Sequence, residues 1–443
     1  MSSVLSVAES DVKLSSTQRV ALWRFSEFVR FWLPTFLLGL LAMQAATRLE
    51  YAQFGADKVY HDEAVEVSSS NRLRQIGFLS FGALGAYLLI RREKEHDKNV
   101  YWPIILCTVL TTGFICLSVV WSDDPNTTLK RSILISCMLA GAVGLGSVWR
   151  MRDVGYAIVI LSSLFLTLGV AAEIYYGTFL AGVDYRFCGI FHPAKQAFSC
   201  ALLLLASCSL YQLEKRKLFL VIACVAFIFL VLTKARTGTA ALLVAAAWFW
   251  WHYLSSRTIL LSVWGTCVAV AVALIVLGGI GGDVSLETIA RMGRKDELAD
   301  PTKLTGRLPI WSEAMELFAD RPLFGYGYGA FWIPQRVRHF ERLTGWAFSH
   351  AHSGYIETLV NLGVVGLFLG LSTVLVTFRR CLRLIARHDL VLARFASAVL
   401  ILAIIGNISE SAFIADGYEV LVALTTIALV GFQGTPVAEE LAS

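Results

Sequence analysis

The sequence predicts an all-α, polytopic membrane protein, and three observations support that fold class. Hydrophobic residues make up 56% of the 443 positions and charged residues only 16%, with a mean hydropathy of +0.65. A soluble domain of this length needs far more charge on its surface. Apolar runs long enough to cross hydrocarbon as helices recur from one end of the chain to the other. These runs do not alternate with a period of two, and open sheet edges cannot face lipid.

The apolar runs predict about twelve transmembrane helices. They cover residues 31–47, 75–90, 103–121, 133–149, 154–176, 197–213, 218–233, 239–254, 258–279, 356–378, 390–408 and 418–432. The polar segment before the first run is longer than the charged region of a signal peptide, so we expect a retained first helix. Lys and Arg concentrate in alternate connections, beginning with the N-terminal segment. The positive-inside rule therefore predicts that both termini face the cytoplasm.

One long connection separates the ninth run from the tenth and dominates the predicted organisation. We expect a cytoplasmic tail (1–30), a bundle of about nine helices (31–280), a large outward-facing loop (281–355), about three further helices (356–432) and a second cytoplasmic tail (433–443). A membrane protein that keeps so many polar and aromatic residues in one loop is expected to do its chemistry there. The net charge of +5 gives no reason to expect a nucleic-acid partner.

Within the large loop, the residues after Arg307 have the apolar spacing of a short amphipathic helix. Apolar side chains occur at positions 310, 311, 314, 315, 317 and 318. Pro309 is compatible only with the first turn of such a helix, and Pro322 predicts its end. Arg307 would then lie at the helix start, where backbone N–H groups and a guanidinium can bind the same anion.

A glycine-rich stretch follows this helix, in which Tyr326 and Tyr328 alternate with glycines. It is a weak match to a nucleotide-binding loop, because it lacks a preceding strand and a following Lys-Ser/Thr pair. We expect instead a tight turn that exposes aromatic faces on which sugars can stack. The stretch therefore predicts substrate binding rather than a nucleotide cofactor.

Two histidines, His350 and His352, precede the tenth apolar run. They have two possible roles, as a pair of metal ligands or as a site with one catalytic base. A carboxylate or a third histidine does not occur at a convincing metal-ligand spacing. The sequence therefore predicts neither a metal nor another cofactor, and favours His352 as a single base.

Three further ionisable residues lie at the predicted outer ends of the spans. Arg236 stands in a tight turn between two runs, either as a functional cation or as a ligand for lipid phosphate. Arg186 belongs to an aromatic loop (177–196) that either contacts substrate or simply lies at the membrane interface. Glu410 ends the eleventh run, where it either pairs with an arginine or extends toward water.

Motifs in the second half of the chain resemble those of a known family. They are Leu304-Thr305-Gly306-Arg307, Ile310-Trp311, Arg321-Pro322-Leu323-Phe324-Gly325-Tyr326-Gly327, Ala330-Phe331-Trp332, Ala351-His352-Ser353-Gly354-Tyr355 and Leu362-Gly363-Val364-Val365-Gly366. In these motifs the chain resembles the O-antigen ligase and polymerase superfamily of bacterial membrane glycosyltransferases. It is most similar to the exopolysaccharide polymerases of the succinoglycan type. The family usually has Asn after its histidine, where this chain has Ser353.

The resemblance implies a substrate and a place of action. The substrate would be an undecaprenyl-pyrophosphate-linked oligosaccharide at the outer face of the bacterial inner membrane. The reaction would be metal-independent transfer of a growing chain to a sugar hydroxyl. Membrane lipids, a chain-length regulator and an export complex would be further partners.

The resemblance also assigns roles to individual residues, and their chemistry agrees with those roles. His352 would be the base, because an imidazole titrates near neutrality. Arg236 and Arg307 would be catalytic, because a guanidinium can grip two oxygens of a leaving pyrophosphate. The predicted substrate-binding residues are Arg186, Trp311, Tyr326, Tyr328, Tyr355 and Glu410.

Three other functions stay open at this point, and one of them is a structural scaffold for an export complex, against which only the candidate site residues argue. An O-antigen ligase that transfers finished glycan to another acceptor would share the same core chemistry. A transporter of lipid-linked sugars belongs to a different class and predicts ionisable residues at mid-membrane. The clustering of charged residues at the predicted outer edge disfavours the transporter.

Overall fold

The computed structural model describes residues 28–46, 72–91, 100–180, 185–251, 307–344, 350–388, 390–408, 410 and 417–432. These ranges contain thirteen α-helices, together with turns and bends, and no strand. The predicted all-α class is therefore confirmed for the described part of the chain.

The helices are numbered here in chain order. They are α1 (Leu33–Ala46, after a π-helical turn at Phe28–Trp32), α2 (Arg72–Ile90), α3 (Trp102–Leu117, followed by a 3₁₀ turn at Ser118–Trp121), α4 (Pro125–Val148), α5 (Met151–Tyr175), α6 (Pro193–Glu214), α7 (Lys217–Leu232), α8 (Arg236–Trp250), α9 (Arg307–Asp320), α10 (Pro334–Thr344), α11 (Gly354–His388), α12 (Val391–Gly406) and α13 (Tyr418–Phe432).

Five of these helices are long and apolar enough to cross a membrane: α3 with its 3₁₀ turn, α4, α5, α6 and α11. Five shorter apolar helices accompany them, namely α1, α2, α7, α12 and α13. Eleven of the predicted spans coincide with a helix, whereas the span predicted at 258–279 lies outside the described residues. The protein is thus a multi-pass helical membrane protein, while the number of twelve spans stays a prediction.

Proline and capping residues determine where several helices begin. Pro125 stands in the first turn of α4, and Asp124 before it accepts the backbone N–H of Thr127 at 3.1 Å. Pro193 likewise opens α6, and His192 is its N-cap residue. Proline suits this first turn because its missing N–H has no partner there in any helix.

The bundle packs around α6, whose side chains from Pro193 to Leu210 are buried almost without exception. Helices α5, α7, α8 and α12 all pack against it. On one side of the bundle, α2 and α4 approach each other closely, because Gly85 of one helix faces Gly144 of the other. A Cβ at Gly85 would overlap the carbonyl of Ala140. Such small residues let the backbones of membrane helices touch.

Helix α11 is broken at Gly363, whose backbone has φ 67° and ψ −171°. The break leaves the carbonyls of Val360 and Asn361 without partners from within the helix. The backbone N–H groups of Tyr326 and Gly327 bind these carbonyls at 3.0 and 2.9 Å. The loop between α9 and α10 is therefore attached directly to the backbone of a membrane-spanning helix.

The contact between α2 and α4 yields a stability prediction with an internal control. We expect Gly85→Leu to lower the thermal unfolding midpoint of the purified protein, because overpacking typically costs about 1–3 kcal/mol. Gly113→Leu, on α3, is the control, since a Cβ there meets nothing within 4 Å. Equal unfolding midpoints for the two variants would contradict this close packing.

Candidate active site

Helix α9 forms where its apolar spacing predicts it, and Arg307 is its first residue. Ile310 and Ala314 are fully buried, and they join a hydrophobic core with Phe331 and Trp332. The helix ends at Asp320, just before Pro322. The amphipathic helix is therefore confirmed, whereas the residues before Arg307 lie outside the described part of the chain, so its position at the helix start stays a prediction.

The glycine-tyrosine turn differs from the prediction. Tyr326 and Tyr328 are each only 4% exposed. The ring of Tyr326 lies between the guanidinium groups of Arg321 and Arg336, at 4.7 and 4.1 Å, and its hydroxyl donates to the carbonyl of Leu317 at 2.8 Å. The expectation that this turn exposes aromatic faces is therefore wrong, because the docking of the loop onto α11 places both rings in the interior.

Asp123 completes this arrangement from the end of α3. Its carboxylate pairs with Arg321 at 2.7 Å and also with Arg336. One carboxylate thus bridges the two guanidinium groups that contact the Tyr326 ring. We infer that this cluster holds the loop in place.

The segment that carries the two histidines is held from both sides at Ala351. The indole Nε1 of Trp311 donates to the Ala351 carbonyl at 2.8 Å, and the Ala351 N–H donates to Oε2 of Glu357 at 2.8 Å. Trp311 lies one helical turn after Arg307, so α9 carries both the arginine and a support for the histidine segment. His352 itself has a φ of 49°, a left-handed conformation that such external support maintains.

The same segment is also attached to the end of α12. The N–H of Gly354 donates to the carbonyls of Asn407 and Glu410 at 2.8 and 2.9 Å. The hydroxyl of Tyr355 donates to the carbonyl of Ile404 at 2.8 Å. These bonds bring Glu410 into the neighbourhood of the histidines.

Glu410 forms an ion pair with Arg307, with 3.5 Å between Oε1 and Nη2. Of the two alternatives that the sequence leaves open for this glutamate, the structure shows the pairing with an arginine. Lys195 and Glu419, in the first turns of α6 and α13, also act electrostatically on Glu410. Burial raises the pKa of the Glu410 carboxyl above its ordinary value, in opposition to Arg307 and Lys195.

Arg186 and Arg236 lie on segments joined at the α7–α8 turn. The Nε of Arg186 donates to the carbonyl of Thr233 at 2.8 Å. Arg236 is the first residue of α8. A Cβ at Gly238 would lie 2.7 Å from Ala197 of α6, so the start of α8 packs against the first turns of α6. Both arginines therefore stand at the end of the bundle where α6 begins.

Five residues lie close enough to act on one another electrostatically or as an ion pair, and we call their cluster the active-site recess: His192, His350, His352, Arg307 and Glu410. The rings of His350 and His352 are 4.0 Å apart between centroids. The ring of His192 is open to solvent although protein surrounds it on most sides, as expected for a side chain in a recess.

The recess keeps His192 and His352 neutral. Burial lowers the pKa of His352 to about 2, with further contributions from His350, Arg307 and His192. Burial also lowers the pKa of His192 to about 4, followed by the effects of Arg186, Lys195, His350 and Arg307. Both effects disfavour an added positive charge. At physiological pH, the imidazole of His352 is therefore neutral.

Sequence reasoning missed four residues around this site. Lys195 and Glu419 lie in the first turns of helices, and nothing in the sequence indicates that they lie near Glu410. Glu173 and Glu357 carried a signal, because each is a carboxylate inside an apolar run. In the part of the chain that the structure describes, groups of three or more His, Cys, Asp or Glu suited to a metal ion do not occur.

Comparison with known proteins gives two matches. The family model described as O-antigen ligase matches residues 201–371, which include Arg236, Arg307 and His352. The exopolysaccharide production protein ExoQ of Rhizobium meliloti (strain 1021) is 28% identical over 362 residues, covering 73% of this chain and 76% of the relative. The resemblance predicted from the motifs is thereby confirmed, and the apolar helices indicate a multi-pass membrane protein.

The lowered histidine pKa predicts a dependence of stability on pH. The ordinary pKa of histidine is near 6.5, so below that pH the unfolded chain binds a proton at His352 that the folded chain does not bind. We therefore expect the unfolding midpoint of the protein to fall as the pH drops from 7.5 to 5. His352→Asn removes this group and should make the decline shallower. Parallel declines in the two proteins would contradict a neutral, buried His352.

Proposed function

We propose that this relative of the O-antigen ligases and polymerases is a membrane glycosyltransferase that polymerises lipid-pyrophosphate-linked oligosaccharide repeat units. It would act at the outer face of the inner membrane, with both termini in the cytoplasm. The observation that carries the proposal is the recess itself, where a neutral histidine adjoins an arginine held by a glutamate. A base beside a cation at the end of apolar helices suits a substrate with a lipid tail, a pyrophosphate and a sugar.

The proposed reaction is a single displacement. The acceptor hydroxyl oxygen attacks the anomeric carbon of the donor, and the bond from that carbon to the pyrophosphate oxygen breaks. The lipid pyrophosphate leaves with the bonding electron pair, and the hydroxyl proton passes to His352. Such general-base assistance contributes about 10²–10⁴-fold to a rate.

The groups of the protein lower the pKa of His352 to about 2, and an imidazole with so low a pKa is a weak base. A pyrophosphate bound beside Arg307 adds negative charge to the recess. That charge offsets the repulsion from Arg307 and stabilises the imidazolium, which raises the pKa of His352. We infer that the donor strengthens the base that acts on the acceptor.

Arg307 and Arg236 would bind the pyrophosphate. The ion pair from Arg307 to Glu410 is long, at 3.5 Å, so a phosphate oxygen can compete for the guanidinium. Glu410 would be the counter-ion that holds Arg307 in position before the donor arrives. Arg186 is oriented by its bond to Thr233 and would contribute further positive charge beside His192.

Trp311 and Tyr355, which the sequence assigns to substrate binding, use their polar atoms within the protein. We therefore propose that they shape the wall of the recess and contact sugar, if at all, through their ring faces. Tyr326 and Tyr328 do not enter the proposal, since their rings are buried.

A ligase that transfers finished glycan to a different acceptor is the alternative within the same chemistry. The family description, O-antigen ligase, favours it, whereas the name of the relative refers to exopolysaccharide production. A chain-length regulator and an export complex would be partners of a polymerase. The product separates the two, because only a polymerase extends its chain with repeat units.

The pyrophosphate grip predicts that charge alone is insufficient at position 307. We expect Arg307→Lys to lower polymer synthesis at least about tenfold, because an ammonium cannot make the planar two-point contact. Arg236→Ala should be similarly impaired. Arg338→Lys, on the exposed side of α10, is the matched control and should retain full synthesis. Polymer yield per folded protein is the measurement, and normal yield from Arg307→Lys would contradict the grip.

The base assignment predicts an accumulating intermediate. We expect His352→Ala to stop chain extension, so that single lipid-linked repeat units collect at the outer face of the membrane. Their length and sidedness in cells are the measurement. His339→Ala, on α10, is the control and should make long polymer.

The outcome at His350 distinguishes a base from a metal site. His350→Ala should be affected far less than His352→Ala, whereas two metal ligands would fail alike and respond to a chelator. Long polymer from His352→Ala would refute the base. Cargo trapped at the cytoplasmic face would refute the enzyme and favour a transporter.

A further inference from the structure

We propose that two buried glutamates, Glu173 and Glu357, are positioning residues that hold the two loops of the active site by their backbone N–H groups. Glu173 lies near the end of α5 and Glu357 in the first turn of α11, and they are 2% and 4% exposed. The structural part of the proposal rests on their contacts. The roles in turnover rest on the proposed function.

Glu357 supports the histidine segment. Its Oε2 accepts the N–H of Ala351 at 2.8 Å, and its two oxygens accept the indole N–H of Trp332 at 2.9 and 3.0 Å. The Nδ2 of Asn361 donates to Oε1 at 3.0 Å. Ala351 immediately precedes His352, so this carboxylate fixes the position of the backbone from which the His352 side chain extends.

Glu173 supports the other loop in the same manner. Its Oε1 accepts the backbone N–H groups of Cys188 and Gly189 at 2.9 and 2.8 Å. Its Oε2 accepts the hydroxyl of Tyr185 at 2.5 Å. Cys188 and Gly189 lie between Arg186 and His192, so this carboxylate places the loop that carries both.

The two clamps share a helix carboxylate, at least one backbone N–H of a loop, and the polar hydrogen of one aromatic side chain. Glu357 accepts only from N–H groups, so a glutamine there would place its amide hydrogens against an N–H donor. At position 173 the Tyr185 hydroxyl can accept as well as donate, so a glutamine would keep the contacts. Glutamine therefore removes the clamp at position 357, and methionine, which has a similar volume and no strong acceptor, removes it at position 173.

The clamps are expected to affect different kinetic constants. Glu357 acts through the base, so its loss should lower kcat and leave KM nearly unchanged. Glu173 acts through a loop whose cations meet the substrate, so its loss should raise KM more than it lowers kcat. A misplacement of about 1 Å can cost 10²-fold in rate, so neither effect requires unfolding.

The experiment uses the full chain, purified in detergent, with lipid-pyrophosphate-linked repeat units extracted from the His352→Ala strain. We expect Glu357→Gln to lower kcat about tenfold or more with KM within about twofold. Glu173→Met should raise KM about tenfold with kcat within about threefold. Glu313→Gln, on α9 beside His339, is the matched control and should change neither constant. Unchanged constants in either clamp variant would overturn the role of that glutamate.

A second arm separates positioning from general destabilisation. In His352→Gly, added imidazole replaces the missing base and restores part of the rate. Glu357→Gln should cause less than a twofold further loss in that background, because the tethered base it positions is gone. An equal loss in both backgrounds would show that Glu357 does not act through His352.

A third variant covers the case in which Glu357→Gln does not fold. Trp311→Phe removes the bond to the Ala351 carbonyl on the opposite side of the same peptide. It should show the same lowered kcat and the same absence of further loss with imidazole. A full rate in Trp311→Phe would overturn the clamp. Full polymer synthesis by His352→Gly without imidazole would instead refute the proposed function.

Discussion

The break in α11 at Gly363 is the feature on which the site depends. Polar backbone groups at membrane depth need partners within the protein. The carbonyls that the break releases bind Tyr326 and Gly327, and so fasten the loop to the bundle. The first turn of the same helix supplies Glu357, which holds the histidine segment. One interrupted helix thus positions both the loop between α9 and α10 and the segment that carries the proposed general base, His352.

The charges of the recess follow from this arrangement. Cations and histidines gathered near a membrane repel one another, and each bears a desolvation cost. Glu410 offsets part of that repulsion through its pair with Arg307, and His192 and His352 remain neutral because their pKa values are lowered. A site of this kind favours an anionic ligand, because an anion reduces both the repulsion among the cations and the cost of their desolvation. This reasoning connects the lowered histidine pKa with the proposed pyrophosphate substrate.

Local patterns explain which predictions were right. An apolar run of spanning length forms a helix wherever it occurs, and the apolar positions after Arg307 specify one face of α9. The turn containing Tyr326 shows the opposite case. Glycines there predict a turn, but whether its rings face outward depends on what the turn packs against. Asp123, about two hundred positions earlier in the chain, closes the arginine cluster around that ring.

The sequence by itself determined the helical membrane fold, the amphipathic α9, and the arginine and histidine most suited to the chemistry. Those features depend on side-chain type and on spacings within one helix. Only the tertiary structure decided that Arg307 pairs with Glu410, that Tyr326 is buried, and that Glu173 and Glu357 bind loop backbones. Each of these is a contact between distant segments, and residue type does not show which backbone N–H groups are hydrogen-bonded. Hydrogen bonds to the backbone therefore cannot be predicted from the sequence, except where a carboxylate in an apolar helix indicates one.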